Sequence, residues 1–234
     1  MSVMKNWARL TMRCRRLAGV CLLLAGGVGG PYLLLAAEPA SAVSCGAAEP
    51  AGTPCTLTGT VGLTGGSLTL TAPSSLTWAA TLNGQDQQLV DATTGDTQYG
   101  VNDATGSGAG WHVTASATTF TSGSLTLANA GTLSTNGSTS SVSSTTVPGS
   151  QCNTSGGANT CVLSASTASY PVAITTAAST PTAFTIYDDS ANAGMGSITV
   201  GTSAHPVGWW VSVPSSAAAG TYTSTITMAI VSGP

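Results

Sequence analysis

Tyr99-Gly-Val-Asn-Asp103-Ala-Thr-Gly-Ser-Gly-Ala-Gly110-Trp111-His-Val113-Thr-Ala-Ser116 is the stretch that decides the fold of this chain. An acidic, glycine-rich turn delivers a tryptophan directly into an alternating run. In an extended strand, Trp111, Val113 and Ala115 share one face while His112, Thr114 and Ser116 share the other. The same period of two recurs outward from this block. It marks Ser67–Thr71, the set Leu76, Trp78, Ala80 and Leu82, Ser124–Ala128, and the pairs Val172/Ile174, Phe184/Ile186 and Ile198/Val200. Trp209, Val211 and Val213 continue it, and Tyr222 to Ile230 is the longest such run. Short Thr- and Val-rich runs between Gly, Asn, Asp and Pro clusters read as strands. Past the N-terminal apolar segment no window keeps helical spacing. The expectation is an all-β protein, an antiparallel sandwich of roughly nine to twelve strands.

The N-terminus has a different character. All 5 basic residues lie within the first sixteen positions, from Lys5 to Arg16, and an apolar run from Leu17 to Ala37 follows. Ala40-Ser41-Ala42 then offers a small-x-small cleavage site, so residues 1–42 read as a secretory signal peptide. The apolar run is also long enough to serve as an uncleaved anchor. After Ser232-Gly-Pro234 no apolar tail or sorting motif is seen, so C-terminal covalent anchoring is not expected.

Beyond residue 42 the chain contains no lysine or arginine. Its acids are Glu49, Asp86, Asp91, Asp96, Asp103, Asp188 and Asp189. Phosphate-backbone recognition needs cationic side chains to displace counterions, so nucleic acid is excluded as a partner. Anionic membrane surfaces are disfavoured on the same Coulombic ground. No membrane association is expected once the signal segment is removed. Four cysteines follow the leader: Cys45, Cys55, Cys152 and Cys161. An even number in an exported chain suggests disulfides. Cys45–Cys55 with Cys152–Cys161 is the favoured pairing because each closes a short loop. Residues 43–60 read as a Cys/Pro/Gly-rich lead-in, and 129–161 as a loop-rich insertion within the domain spanning 61–234.

The Trp111 block resembles the first motif of the WxL cell-wall-binding domain, in which a V-x-D strand and a Gly-rich turn precede Gly-Trp-x-Leu. Gly66 to Trp78 looks like that family's first strand region. Val211-Ser-Val-Pro214 with Gly220 to Ile230 looks like its closing strand. Val113 stands where the first motif has Leu, and Met228-Ala229-Ile230 stands where the second motif has Trp-x-Leu. The chain is therefore identified as a divergent relative. The resemblance implies a secreted, non-catalytic protein at the bacterial cell surface. Its implied partners are peptidoglycan or another wall glycan, and companion cell-surface proteins.

Candidate contact residues follow. Trp111 and Val113 occupy the family motif; a tryptophan on an alternating strand is ordinarily core, but at the base of a groove it can also stack on sugar rings. Trp209 and Trp210 are adjacent, so a strand sends them to opposite faces, and burying both needs a second covering layer. Asp86, Asp91, Asp96 and Asp103 gather in a Gly/Asn-rich region where hard oxygen ligands could hold Ca²⁺. Turns attract aspartate without any metal, however, and no EF-hand spacing is present. No other cofactor is expected. Catalysis is not expected either: no G-x-S-x-G occurs, and Asp188-Asp189 are neighbours on a strand rather than facing carboxyls. Two other functions remain open. One is a structural subunit joined to its assembly by β-strand pairing. The other is a secreted carbohydrate-binding module for an external polysaccharide.

Overall fold

The computed structural model describes residues 43–44, 52, 54–91, 93, 96–153 and 161–234. The leader expected over 1–42 and Cys45 lie outside the described residues, and the expected Cys45–Cys55 pairing does so with them. Two compact units divide the chain, Met1–Thr60 and Val61–Pro234. In the first, β1 (Val43–Ser44) and β2 (Cys55–Thr56) form a short parallel pair.

The second unit is all-β, and no helix occurs among the described residues. Its strands are β3 (Leu68–Thr71), β4 (Gln87–Asp91), β5 (Tyr99–Asp103), β6 (Trp111–Ala117), β7 (Thr121–Ser122), β8 (Leu125–Thr126) and β9 (Leu133–Asn136). They continue with β10 (Ser150–Cys152), β11 (Val172–Ile174), β12 (Phe184–Asp189), β13 (Gly196–Val200), β14 (Gly208–Val213) and β15 (Ile226–Ser232). Every ladder among them is antiparallel. The sheets run β10-β13-β5-β3, β11-β9-β14-β4 and β12-β6-β15, with β7-β8 as a minor hairpin.

Strand β6 behaves as its alternation requires. Trp111, Val113, Ala115 and Ala117 are fully buried, while His112, Thr114 and Ser116 are half-buried on the other side. The inward face joins a single core cluster with Val101, Ile198 and Val200 from one sheet and Leu133, Ile174 and Trp209 from another. With no lysine or arginine to pair with, this unit is held by apolar burial and hydrogen bonds.

Three local expectations change. The alternation at Leu76–Leu82 makes no strand; that stretch is coil, with Thr77 N–H donating to the Asp91 carboxylate at 2.7 Å. The run beginning at Tyr222 becomes a strand only at Ile226. The stretch 129–161, expected to be loop-rich, supplies β9 to the interior of one sheet and β10 to the edge of another. Leu133 and Thr135 point inward from β9, a signal of two residues inside a Ser/Thr-rich background. Cys152 and Cys161 are bonded to each other, as the short loop between them suggested.

Candidate functional site

The opening tryptophan is part of the core. Trp111 is 0% exposed, its indole N–H donates to the Gly194 carbonyl at 2.9 Å, and its ring stacks on Tyr187 with centroids 6.0 Å apart. The glycine before it is explained by the same packing. Gly110 has φ 76°, and a Cβ there would lie 2.6 Å from the Asp189 carbonyl, so only glycine brings the two backbones together. Asp103 starts the turn by accepting the Thr105 N–H at 2.9 Å and its hydroxyl at 2.6 Å.

Trp209 and Trp210, of which one was the candidate for an exposed ring, are both inside as well. Trp209 is 0% and Trp210 is 5% exposed, although they sit on opposite faces of β14. The second covering layer that this demands is the loop after β9. Asn136, itself fully buried, donates to the Ser141 and Val142 carbonyls and accepts the Trp210 indole N–H at 3.1 Å. Trp111, Val113, Trp209 and Trp210 therefore offer no accessible ring or methyl face for a ligand.

The aspartates are dispersed as turn staples. Asp86 accepts the Ser215 N–H at 2.7 Å, Asp91 accepts from Thr77 and Thr93, and Asp103 accepts from Thr105. Asp96 is exposed on its own turn. Among the described residues no group of three or more His, Cys, Asp or Glu side chains comes together as a cation site. Of the described acids, only Asp86 and Asp96 are exposed; Asp91, Asp103, Asp188 and Asp189 are buried. Among the described residues the surface therefore carries few charged side chains.

Asp188 and Asp189 serve the fold. Asp188 accepts from the Ser166 hydroxyl, the Thr167 N–H and the Thr167 hydroxyl, each at 2.7 Å. Asp189 accepts from the Ser164 N–H and hydroxyl. Burial pushes the Asp188 carboxyl up, but the donors of Ser166, Thr167 and Ala168 outweigh it and hold the group below the usual carboxylate range. A carboxyl depressed in the folded state stabilises fully above its unfolded value of about 3.9, and that stability is lost as pH falls through the folded value. Acid titration followed by circular dichroism should therefore show stability declining below about pH 4. Asp188→Asn should flatten that limb, and an unchanged limb would remove Asp188 as its source.

The accessible aromatic surface lies elsewhere. A groove of about 460 Å³ opens between the coil 72–78 and the segment 221–228, in which Ile226 and Met228 of β15 form part of the wall. Trp78 and Tyr222, both half-buried, face it, with buried Phe120 at its floor. The Trp78 indole N–H donates to the Trp209 carbonyl at 2.9 Å and its ring meets Phe120 edge-on, at 6.0 Å and 76°. Tyr222 is tied by its hydroxyl to the Ala218 carbonyl at 3.0 Å. Both rings are fixed by their polar ends, so what they present to the groove is apolar ring surface. Ser74, Thr77, Thr221 and Thr223 add hydroxyl-bearing walls, and no charged side chain lines the groove.

A second groove of about 520 Å³ shares Ala72, Pro73 and Ser74 with the first. It is polar, lined by Asn102, Asn153, Ser197 and Thr199 of the β10-β13-β5-β3 sheet, with the exposed Asp96 carboxylate among its walls. There the Asn153 amide donates to the Thr199 hydroxyl at 2.9 Å. The sequence placed Trp78 and Tyr222 only on alternating runs and gave neither a contact role.

Comparison with protein-family models gave no match, and neither curated proteins nor solved structures gave a similar chain.

Proposed function

We propose that this protein is an exported, non-catalytic β-sandwich that associates non-covalently with cell-wall glycan, peptidoglycan being the first candidate, through the Trp78–Tyr222 groove. The observation that carries the reading is the groove itself: immobilised aromatic faces beside hydroxyl-bearing walls, with no charged side chain in the lining. Sugar rings offer apolar C–H faces to stack on such rings and hydroxyls to pair with Ser, Thr and Asn. The adjoining polar groove extends that surface across Ala72–Ser74. The scarcity of exposed charge among the described residues suits a polymer that is recognised by stacking and hydrogen bonds rather than by ion pairing. The WxL resemblance of the Trp111 block supports the same assignment and adds companion surface proteins as partners. In this reading the motif tryptophan builds the fold, and other aromatic residues make the contact.

The test is equilibrium binding of soluble peptidoglycan fragments, followed by intrinsic tryptophan fluorescence. Tyr222→Ala removes a half-exposed ring and should weaken binding about tenfold, the worth of one well-placed aromatic contact. Equal affinity of Tyr222→Ala and wild type for the fragments would remove the groove from the assignment.

A further inference from the structure

We propose that Asn83 is a self-modifying site, where the Gly84 main-chain nitrogen attacks the Asn83 side-chain amide and converts it to a carboxylate. This does not rest on the glycan reading, and the loop 81–86 takes no part in lining the Trp78–Tyr222 groove.

The chain holds two Asn-Gly bonds, Asn83-Gly84 and Asn136-Gly137. Glycine has no side chain to obstruct its nitrogen, so this dipeptide is where such an attack is sterically easiest. The reaction needs a nitrogen whose N–H is unengaged, a backbone free to turn it toward the amide carbon, and water. Asn83 has all three. Residues 81–86 are exposed coil outside every ladder. Among the described residues the Gly84 N–H meets no acceptor, and the space where a Cβ would stand is open. The amide is also presented for attack, because Asn83 Oδ1 accepts the Gln85 N–H at 2.9 Å. That bond folds the side chain back over the Gly84 peptide. It also sets a donor on the oxygen that becomes negative as the nitrogen adds to the amide carbon.

The atoms balance with water as the one co-reactant. The Gly84 nitrogen gives its proton to solvent and bonds to the Asn83 Cγ. The bond from Cγ to the amide nitrogen breaks, and ammonia leaves with a proton. Water then opens the five-membered ring at either carbonyl carbon, breaking its bond to the ring nitrogen. Opening at the side-chain carbonyl leaves aspartate; opening at the main-chain carbonyl leaves isoaspartate, with one extra atom in the main chain. Either product adds a carboxylate three residues from the exposed Asp86, whose own carboxylate accepts the Ser215 N–H at 2.7 Å.

Asn136 has the opposite setting, although its Oδ1 likewise accepts an N–H two residues on, from Ser138 at 3.0 Å. It is 0% exposed and ends β9 in its ladder with β14. The Gly137 N–H is held by the Thr146 carbonyl at 2.7 Å, and a Cβ on Gly137 would collide with the Val147 carbonyl. The amide nitrogen that would leave donates to the Ser141 and Val142 carbonyls. Nucleophile, leaving group and backbone are all fixed, so the same dipeptide is inert there.

The test holds purified protein at mildly alkaline pH, native and in urea, and samples it over weeks. Digestion with pepsin in acid, where the reaction stops, is followed by peptide mass spectrometry. Native protein should convert Asn83 to a mixture of aspartate and isoaspartate and leave Asn136 intact, whereas in urea both should convert. Gly84→Ala crowds the nucleophile and Gln85→Pro removes the donor to Oδ1; each should slow conversion of Asn83 at least several-fold, with melting curves confirming a folded protein. A native Asn83 that stays an amide while it converts in urea would overturn the proposal. So would a native Asn136 that converts as fast as Asn83. Conversion of Gln85→Pro at the wild-type rate would overturn the role given to the Gln85 N–H.

Discussion

Trp111→Ala should destabilise the protein by about 3–5 kcal/mol, because a fully buried indole is removed and the surrounding core collapses only in part. For a domain of this size that corresponds to a melting temperature lower by about 6–20 °C. The loss combines three contributions: burial of the ring, its stack on Tyr187 and its N–H bond to the Gly194 carbonyl. Trp111→Phe keeps much of the first two and drops the third, so it should fall between alanine and wild type. Chemical denaturation resolves the series. If Trp111→Ala melted within about 0.5 kcal/mol of wild type, as surface substitutions do, Trp111 could not be the core residue its position indicates.

Asn136→Ala should cost about 2–4 kcal/mol, more than its polar side chain suggests. Its amide organises the loop that covers β14: it donates to the Ser141 and Val142 carbonyls and accepts the Ser138 N–H and the Trp210 indole N–H. Without it, the Ser141 and Val142 carbonyls and the Ser138 N–H each lose a partner beside the buried Trp210 ring, whose indole N–H keeps only the Ser138 carbonyl. Trp210 should become accessible as the loop loosens, read as quenching of its fluorescence by acrylamide before global unfolding. A variant that melted like wild type with Trp210 still shielded would contradict the role given to Asn136.

The fold was legible where residues alternate strongly. Strand β6 follows the Trp111–Ser116 pattern residue by residue, and β3, β13 and β14 lie where Leu68/Leu70, Ile198/Val200 and Trp209/Val211 place them. Alternation failed at Leu76–Leu82, because a period of two describes only one chain and says nothing of whether a neighbour is present to accept its ladder. It also missed β9, where Leu133 and Thr135 carry the whole inward signal. The candidate contacts were less legible for a related reason. Adjacent Trp209 and Trp210 suggested one exposed ring, but the covering layer is a Ser/Gly loop with no apolar pattern of its own, folded by hydrogen bonds through Asn136. Likewise the aspartates are close in sequence yet engaged separately, Asp91 and Asp103 by the turns that follow them and Asp86 by the distant Ser215 N–H. The Trp78–Tyr222 groove brings together residues far apart in the chain, and no local pattern marks such a meeting.

The most direct measurement is co-sedimentation of the purified protein with insoluble peptidoglycan, beside Tyr222→Ala and an unrelated acidic β protein. The groove assignment predicts strong enrichment of wild type in the pellet, a retained fraction several-fold lower for Tyr222→Ala at matched folding, and none for the control. Wild type sedimenting no better than the control would contradict it.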